Sequence, residues 1–335
     1  MKKSITVWGG GSWGTTLAIL LANKNHKVSL WTHCPKEASQ IASERENKLF
    51  LPGHPLPSSI TVTSDISEAL GQTNIHLLVI PSHVLRSFLQ KLSPYLPASP
   101  LLWVSAIKGI EQESLCRMSE IILEETGSHQ KVTCLSGPTH AEEVAKGIPS
   151  AAVIASSDIS LSEEVQSLFN TDTFRLYTST DIIGVELGGA LKNTIAIAAG
   201  IADGLNLGAN SKAALMTRGL SDIKNIGQAL GASTETFSGL SGMGDLITTC
   251  TSEHSRNLYV GRKLGKGMNL KEIIDSMHMV AEGVKTSHSA HSLIKKHKIE
   301  APIIQEIYNI LFENKPSKQA LADLLHRPQK QEFLL

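Results

Sequence analysis

The 335-residue sequence carries no surplus of either charge: lysine plus arginine number 31, aspartate plus glutamate 31, and the formal net charge is zero. A protein that binds nucleic acid by neutralising phosphates needs a basic surplus, and so does a polybasic membrane anchor, so both are excluded as expectations. Cysteine is scarce. Cys34, Cys116, Cys134 and Cys250 lie far apart with no Cys-x-x-Cys spacing, which argues against a disulfide framework and against a zinc module. Reduced thiols in a cytosolic protein are expected instead. Long hydrophobic runs are missing too. No stretch approaches the roughly 20 apolar residues that span a bilayer. The apolar run after Met1-Lys2-Lys3 breaks at Gly9-Gly10-Gly11, so a signal-peptide core is not expected. There is no internal repeat and no low-complexity segment. A soluble, cytoplasmic protein without metal follows as the expectation.

What is present reads as an ordinary globular chain, with 41% hydrophobic and 19% charged residues. Its length exceeds the roughly 100–200 residues of one domain, so two are expected. In the first half, short apolar segments alternate with helical ones. Ile5–Trp8, Val28–Trp31, Ile75–Ile80, Leu101–Ser105 and Val132–Ser136 are near-continuous apolar runs, as in strands buried on both faces of a parallel sheet. Thr15–Asn23 and Glu113–Glu125 read as helices between them, and Phe50–Ser59, with three prolines, as a turn-rich loop. The βαβα order predicts an α/β domain. Beyond about Asp181 strand signals disappear. Ile182–Ala202, long and rich in alanine and glycine, predicts a helix buried all round. Ile303, Ile304, Ile307, Ile310 and Leu311 keep helical spacing, and Ala320–Leu325 predicts another short helix. The expected division is an α/β domain over residues 1–180 and an all-helical domain over 181–335.

Gly9-x-Gly11-x-x-Gly14 follows the first predicted strand and opens the first predicted helix. The first glycine permits a tight turn, the second lets backbone approach a pyrophosphate, and the third lets helix and strand pack closely. The helix N-terminus then offers free N–H groups to phosphate. A glycine-rich turn without ligand is the plainer alternative, but the strand–turn–helix context favours a dinucleotide site. After the second strand, where an acid would hold the 2′-hydroxyl of NAD, the chain reads Thr32-His33-Cys34, with Lys36 nearby and no acid before Glu37. NADP is favoured there, with His33 or Lys36 toward the 2′-phosphate, and NAD remains possible. His33 as a solvated loop residue is the plainer alternative.

Four further clusters hold polar residues where a structural role would be strained. Lys108, in Ser105–Gly109, ends a predicted strand, the edge at which doubly wound sheets bind ligands. Lys192 and Asn193 sit in the small, apolar segment Glu186–Thr194, where a desolvated ammonium loses basicity and can exchange a proton near neutral pH. Asp245 lies among glycines and threonines in Gly239–Cys250. Ser255-Arg256-Asn257 offers an N-cap and an arginine beside free helix N–H groups, a setting for phosphate. The plainer alternatives are an exposed loop lysine for Lys108, a snorkelling lysine for Lys192, and ordinary turn and cap chemistry for the last two clusters.

Together these segments resemble the bacterial type of NAD(P)-dependent glycerol-3-phosphate dehydrogenase. The resemblance rests on Gly9–Thr15 (GGGSWGT), Lys108-Gly109, Ser136–Ala141 (SGPTHA), Gly189–Asn193 (GALKN), Gly242–Thr249 (GMGDLITT), Ser255–Asn257 (SRN) and Val280–Gly283 (VAEG), which occur in family order over nearly the whole chain. It implies a Rossmann-type domain followed by an all-α domain of the 6-phosphogluconate dehydrogenase C-terminal-like kind, with the active site between them. It also implies that Lys192 is the proton donor and acceptor, and that Lys108 contacts cofactor and substrate. Gly137, Thr139, Asp245, Ser255, Arg256 and Asn257 match substrate-binding positions, with Asn193 and Thr249 beside them. Gly9, Gly11, Ser12, Trp13, Gly14, His33, Lys108, Ala141, Arg256, Val280 and Glu282 match cofactor-contacting ones. Two departures are visible: Gly9-Gly10-Gly11 replaces Gly-Ala-Gly, and Ser221-Asp222 stands where the family commonly has glutamate. The implied reaction is reduction of dihydroxyacetone phosphate to sn-glycerol 3-phosphate for phospholipid synthesis, by a homodimer. The competing readings are a related hydroxyacid or sugar-acid dehydrogenase, whose carboxylate substrate could also use Arg256, and a non-catalytic NADP-binding sensor.

Overall fold

A computed structural model describes residues 2–71, 73–277, 280–329 and 331–332. Eight strands form one sheet: β1 (Ser4–Trp8), β2 (Lys27–Trp31), β3 (Ile60–Thr63), β4 (Ile75–Leu78), β5 (Leu102–Ser105), β6 (Lys131–Ser136), β7 (Ser150–Ala155) and β8 (Phe174–Ser179), in the order β3-β2-β1-β4-β5-β6-β7-β8. Helices α1 (Ser12–Asn23), α2 (Pro35–Glu44), α3 (Ile66–Leu70), α4 (Leu85–Leu92), α5 (Met118–Thr126), α6 (Ala141–Ala145) and α7 (Ile159–Phe169) connect them. The remainder is helical: α8 (Ile182–Gly204), α9 (Gly208–Ala229), α10 (Asp245–Thr251), α11 (Arg256–Gly265), α12 (Leu270–Asp275), α13 (Glu282–His297), α14 (Pro302–Phe312) and α15 (Ser317–Leu325). A Rossmann-type sheet followed by an all-helical region is the expected fold class.

The sheet departs from the expectation at both edges: β3, the short segment Ile-Thr-Val-Thr at one end, is not among the expected strands, and the other end differs in direction. β1 to β6 are parallel, but β7 pairs with β6 in the antiparallel sense, and β8 runs parallel to β7. β8 carries no unbroken apolar run, and the run in β7, Ala-Ala-Val-Ile-Ala, is dominated by alanine. β7 is built from small residues, and β8 alternates buried Phe174 and Leu176 with exposed Arg175 and Tyr177, as a strand covered on one face does. The helix expected over Glu113–Glu125 begins only at Met118. Leu115 takes a left-handed backbone (φ 65°), and the Glu111 amide donates to the Cys116 carbonyl, closing a turn. The Arg117 amide then donates to the Glu120 carboxylate at 2.7 Å, and the Arg117 guanidinium pairs with the same carboxylate, which starts α5.

Among the described residues, α8 alone is long and apolar enough to cross a membrane, so the expectation that no such stretch exists needs correction. Every residue from Gly184 to Ala202 is buried within the protein, so the helix forms the centre of the helical core. α11 crosses it at close range. A Cβ on Gly261 would stand 2.0 Å from the Ile197 carbonyl oxygen, and one on Gly200 2.2 Å from that of Leu258. One turn further on, Gly204 and Gly265 abut one another in the same way. Only hydrogen at these four positions lets the two backbones meet. This crossing carries the N-terminus of α11 to the middle of α8.

Candidate active site

The glycine loop is held open for a ligand. Gly9 has φ +130°, and a Cβ there would lie 2.5 Å from the Val79 carbonyl oxygen. A Cβ on Gly14 would lie 1.9 Å from the Gly9 carbonyl oxygen, which makes this glycine the contact between helix and strand. Around Gly11 the space is empty to 4 Å, and the first turn of α1 carries no acid. A pyrophosphate therefore has backbone, room and a helix N-terminus to meet, and the residues present fit a dinucleotide. Ser12 donates from its hydroxyl to the Phe50 carbonyl, and half-buried Trp13 packs edge-on to Phe174. His33 lies exposed just past β2. Buried Asn47, unremarkable in sequence, donates from Nδ2 to the Gly10 carbonyl and to the Thr15 hydroxyl, both at 2.8 Å, and so braces the loop.

Across the sheet's C-terminal edge, two lysines converge on one carboxylate. Lys192 Nζ lies 2.7 Å from Asp245 Oδ1, and Lys108 Nζ lies 2.7 Å from Oδ2. Lys108 also donates to the Gly137 carbonyl at 2.9 Å, and Lys192 to the Thr249 hydroxyl, which itself donates to the Asp245 carbonyl. Lys192, Asp245 and Thr249 are buried. Burial pushes the Lys192 ammonium down to about 8, with the Asp245 charge opposing and Lys108 assisting. Burial alone would raise the Asp245 carboxyl, but the two ammonium groups outweigh it and hold it below the usual range. Cys250 is buried nearby, and desolvation pushes its thiol up to about 12, so it stays protonated and apolar in character.

The glycines beside Lys192 serve the chain's own packing. A Cβ on Gly188 would meet the Ser241 carbonyl oxygen at 2.7 Å, and one on Gly189 the Ser136 hydroxyl at 2.4 Å. These contacts seat α8 against β6 and against the turn at Leu240–Gly244 that delivers Asp245.

The remaining expected residues divide into three groups. Arg256 is exposed and donates to the Val280 carbonyl at 3.1 Å. Among the described residues no carboxylate lies within ion-pair distance of it, so its guanidinium can take an anion. Thr139 is half-buried and donates to the Gly137 carbonyl, while the Ala141 carbonyl receives the Thr16 hydroxyl. Ser255 and Asn257 are committed internally. The Ser255 hydroxyl accepts from the Leu258 amide and caps α11, as its sequence position predicts. Asn257 donates to Asn193 Oδ1 at 2.9 Å and accepts from the Gly283 amide at 3.0 Å, tying α8, α11 and α13 together. Glu282 accepts from the Ser82 amide at 3.0 Å and from the Ser82 hydroxyl at 2.5 Å, bridging the sheet edge to α13. Ser82, like Asn47, had no signal in the sequence, because its role depends on a partner 200 residues away. Asp222, the departure in α9, is buried and accepts from the Ile303 and Ile304 amides at the start of α14.

Comparison with known proteins agrees with this geometry. Residues 4–162 match the family described as NAD-dependent glycerol-3-phosphate dehydrogenase N-terminus, and residues 181–322 match the corresponding C-terminus. The chain is 48% identical over 332 residues to glycerol-3-phosphate dehydrogenase (NAD(P)+) of Moorella thermoacetica, covering 99% of this chain and 98% of that one. It is 49% identical over 330 residues to the protein of the same name from Bacillus cytotoxicus, covering 98% and 96%. A crystal structure of glycerol-3-phosphate dehydrogenase from Coxiella burnetii superposes with a TM-score of 0.93 at 36% identity, covering 97% of this chain and 99% of that one.

Proposed function

We propose that this chain, which belongs to the NAD-dependent glycerol-3-phosphate dehydrogenase family, reduces dihydroxyacetone phosphate to sn-glycerol 3-phosphate with NAD(P)H, reversibly, and feeds glycerophospholipid synthesis. The observation that carries the proposal is the Lys108–Asp245–Lys192 centre, set where the sheet edge bearing the glycine loop meets the helical core.

Gly9, Gly11, Ser12, Trp13 and Gly14 would hold the cofactor's pyrophosphate half, with His33 on the side of a 2′-phosphate. Lys108, Ala141, Arg256, Val280 and Glu282 would complete the cofactor contacts. When bound, the nicotinamide supplies the hydride that forms the new C–H bond at the substrate's ketone carbon. Lys192 gives its proton to the carbonyl oxygen as the C=O bond opens. A lysine near 8 gives up that proton far more readily than an ordinary one. Asp245 holds Lys192 in place and favours its charged form before transfer, and Lys108 brings a second positive charge toward the developing alkoxide. Arg256 takes the substrate phosphate, with Thr139 and the Gly137 backbone beside it. Ser255, Asn257, Asn193 and Thr249 keep those groups in register through the bonds described above. Holding both reactants in one cleft supplies a further share of the rate.

The reading further includes a preference for NADPH, a division of the chain into units at 1–180 and 181–335, a homodimer and a cytoplasmic location. A sensor is disfavoured because two ammonium groups and a carboxylate gathered at a largely buried site are costly unless chemistry uses them. The test is the initial rate of cofactor oxidation at 340 nm with dihydroxyacetone phosphate, run in parallel with NADPH and NADH. Turnover, faster with NADPH, is expected. Turnover with NADH alone would overturn the cofactor preference. Binding of NADPH without turnover would overturn the activity.

A further inference from the structure

The polar side chains at the reaction centre are mutually satisfied: Lys108, Lys192, Asp245 and Thr249 all bond within it. His140 does not share in this. It follows Gly137-Pro138-Thr139 and caps the short helix α6 through its backbone, leaving the imidazole unconstrained by that role. The ring is half-buried, and its Nε2 is shielded from solvent yet finds no hydrogen-bond partner among the described residues. A buried nitrogen without a partner is costly, and natural proteins keep such atoms mostly where something else completes them.

Its surroundings indicate what completes it. The ring packs against His254, with centroids 5.8 Å apart and planes tilted by 57°. His254 directly precedes Ser255-Arg256-Asn257, so the pair spans from the 137–140 loop to the start of α11, next to exposed Arg256. Burial, and then the positive charge of Lys192, hold the His140 imidazole below its ordinary basicity against the pull of Glu143 and Glu142, with Lys108 adding the least. In its neutral form the imidazole carries one N–H donor. It lies near enough to Lys192 and Lys108 to feel their charge, and its ring partner His254 stands two residues before Arg256 in the chain.

We propose that His140 is a substrate-contacting residue whose Nε2–H donates to a phosphate oxygen of the bound triose phosphate, with His254 fixing the plane of its ring. This rests on the reaction proposed above and adds a donor to it. Arg256 meets the phosphate from the helical side, and His140 meets it from the sheet side. A substrate carrying a carboxylate at a different distance from the carbonyl would reach one and miss the other.

The experiment compares His140→Phe, which keeps an aromatic ring against His254 but has no donor, with His140→Asn, which restores an N–H. Activity of the unaltered enzyme on dihydroxyacetone phosphate is measured first. If that is absent, the proposed function fails and His140 is not what is at fault. Given that activity, a hydrogen bond to a charged group predicts a rise in KM for dihydroxyacetone phosphate of about tenfold or more in His140→Phe. A smaller change in kcat is expected, with KM for NADPH within about twofold. His140→Asn should recover most of the loss. With unphosphorylated dihydroxyacetone the two variants and the unaltered enzyme should be equally poor. An unchanged KM for the phosphorylated substrate in folded His140→Phe overturns the proposal. So does an equal rise in KM for NADPH, or a penalty that persists with the unphosphorylated substrate. Should His140→Phe not fold, His140→Asn set against His140→Ala gives the same contrast, and equal KM values in that pair overturn it.

Discussion

Lys108 and Lys192 grip the two oxygens of one carboxylate from opposite kinds of support. Lys108 stands on the loop after β5, partly open, with the Gly137 carbonyl as a second acceptor. Lys192 stands inside a helix buried along almost its whole length. The same pairing therefore acts on two differently hydrated ammonium groups. Burial draws Lys192 down to about 8, and Lys108, less buried, has room to reach toward a ligand. The sheet edge offers backbone and reach, and the helical core offers desolvation. A proton donor and an anchoring charge can thus share Asp245 without becoming interchangeable.

The contrast breaks most visibly under alanine. Lys192→Ala is expected to lower kcat by about 10²–10⁴-fold, the range of a lost general acid, while NADPH binding persists. Lys108→Ala should raise KM for dihydroxyacetone phosphate more than it lowers kcat. Steady-state kinetics of both decide it, and equal losses in kcat would erase the division of labour. Glycine supplies a second contrast. Gly261→Ala drives a methyl into the Ile197 carbonyl and should cost about 3 kcal/mol or more. Gly11→Ala meets no atom within 4 Å and has an ordinary backbone, with φ −76°. It should leave Tm unchanged while weakening NADPH binding, because its methyl enters the space the pyrophosphate needs. Calorimetry and a cofactor titration separate the two, and a Tm drop in Gly11→Ala would falsify the open-loop reading.

The two regions also differed in how far they could be read from sequence. Strands β1, β2, β4, β5 and β6 announced themselves because burial on both faces requires unbroken apolar runs, and the glycine loop because its ligand requires backbone alone, whereas β3, with threonine at alternate positions, did not. β7 and β8 gave weak signals, since small residues and alternation also suit loops. In the helical half, Lys192 and Asp245 stood out as charges in apolar or glycine-rich surroundings. Their direct contact depends on the close crossings around α8, which become recognisable only once the partner helices are known. The glycines beside Lys192 show the limit of such reasoning. Their spacing pointed to close approach, but the approaching groups are Ser241 and Ser136 of the same chain. Asn47, Ser82 and the internal commitment of Asn257 depend on contacts distant in sequence and left no local trace.

A pH profile sharpens the comparison with a smaller effect. With Lys192 as the proposed proton donor, reduction would need it protonated, so its kcat should hold steady below about pH 8 and fall above it, about tenfold per unit. Oxidation of glycerol 3-phosphate needs the neutral amine and should rise toward the same point. A Lys108→Gln variant, which removes the charge there, should leave this inflection nearly in place wherever it retains measurable activity, because burial is the largest cause of the shift. If the inflection moved instead with residue 108, charge–charge coupling across Asp245 would outweigh desolvation.

The smallest effect is expected at the far end of the cofactor site, where solvent screens every interaction. His33 is exposed. Glu37, four residues further on, is turned toward Thr32, whose hydroxyl donates to its Oε2 at 3.2 Å. Thr32 is itself pressed against Gly10, where a Cβ would come within 2.9 Å of its side chain. The carboxylate is thereby drawn toward the chain, which lessens its repulsion of a 2′-phosphate. Exposed charge contacts contribute at most about 1 kcal/mol, so His33→Ala should lower the NADPH-to-NADH ratio of kcat/KM by no more than about fivefold. Thr32→Val removes the hydroxyl that restrains Glu37 and should lower the ratio in the same direction, through weaker NADPH use. Parallel kcat/KM measurements with both cofactors test this. If Thr32→Val left the ratio intact while His33→Ala lowered it, the restraint on Glu37 would play no part in cofactor choice, and the imidazole alone would account for the preference.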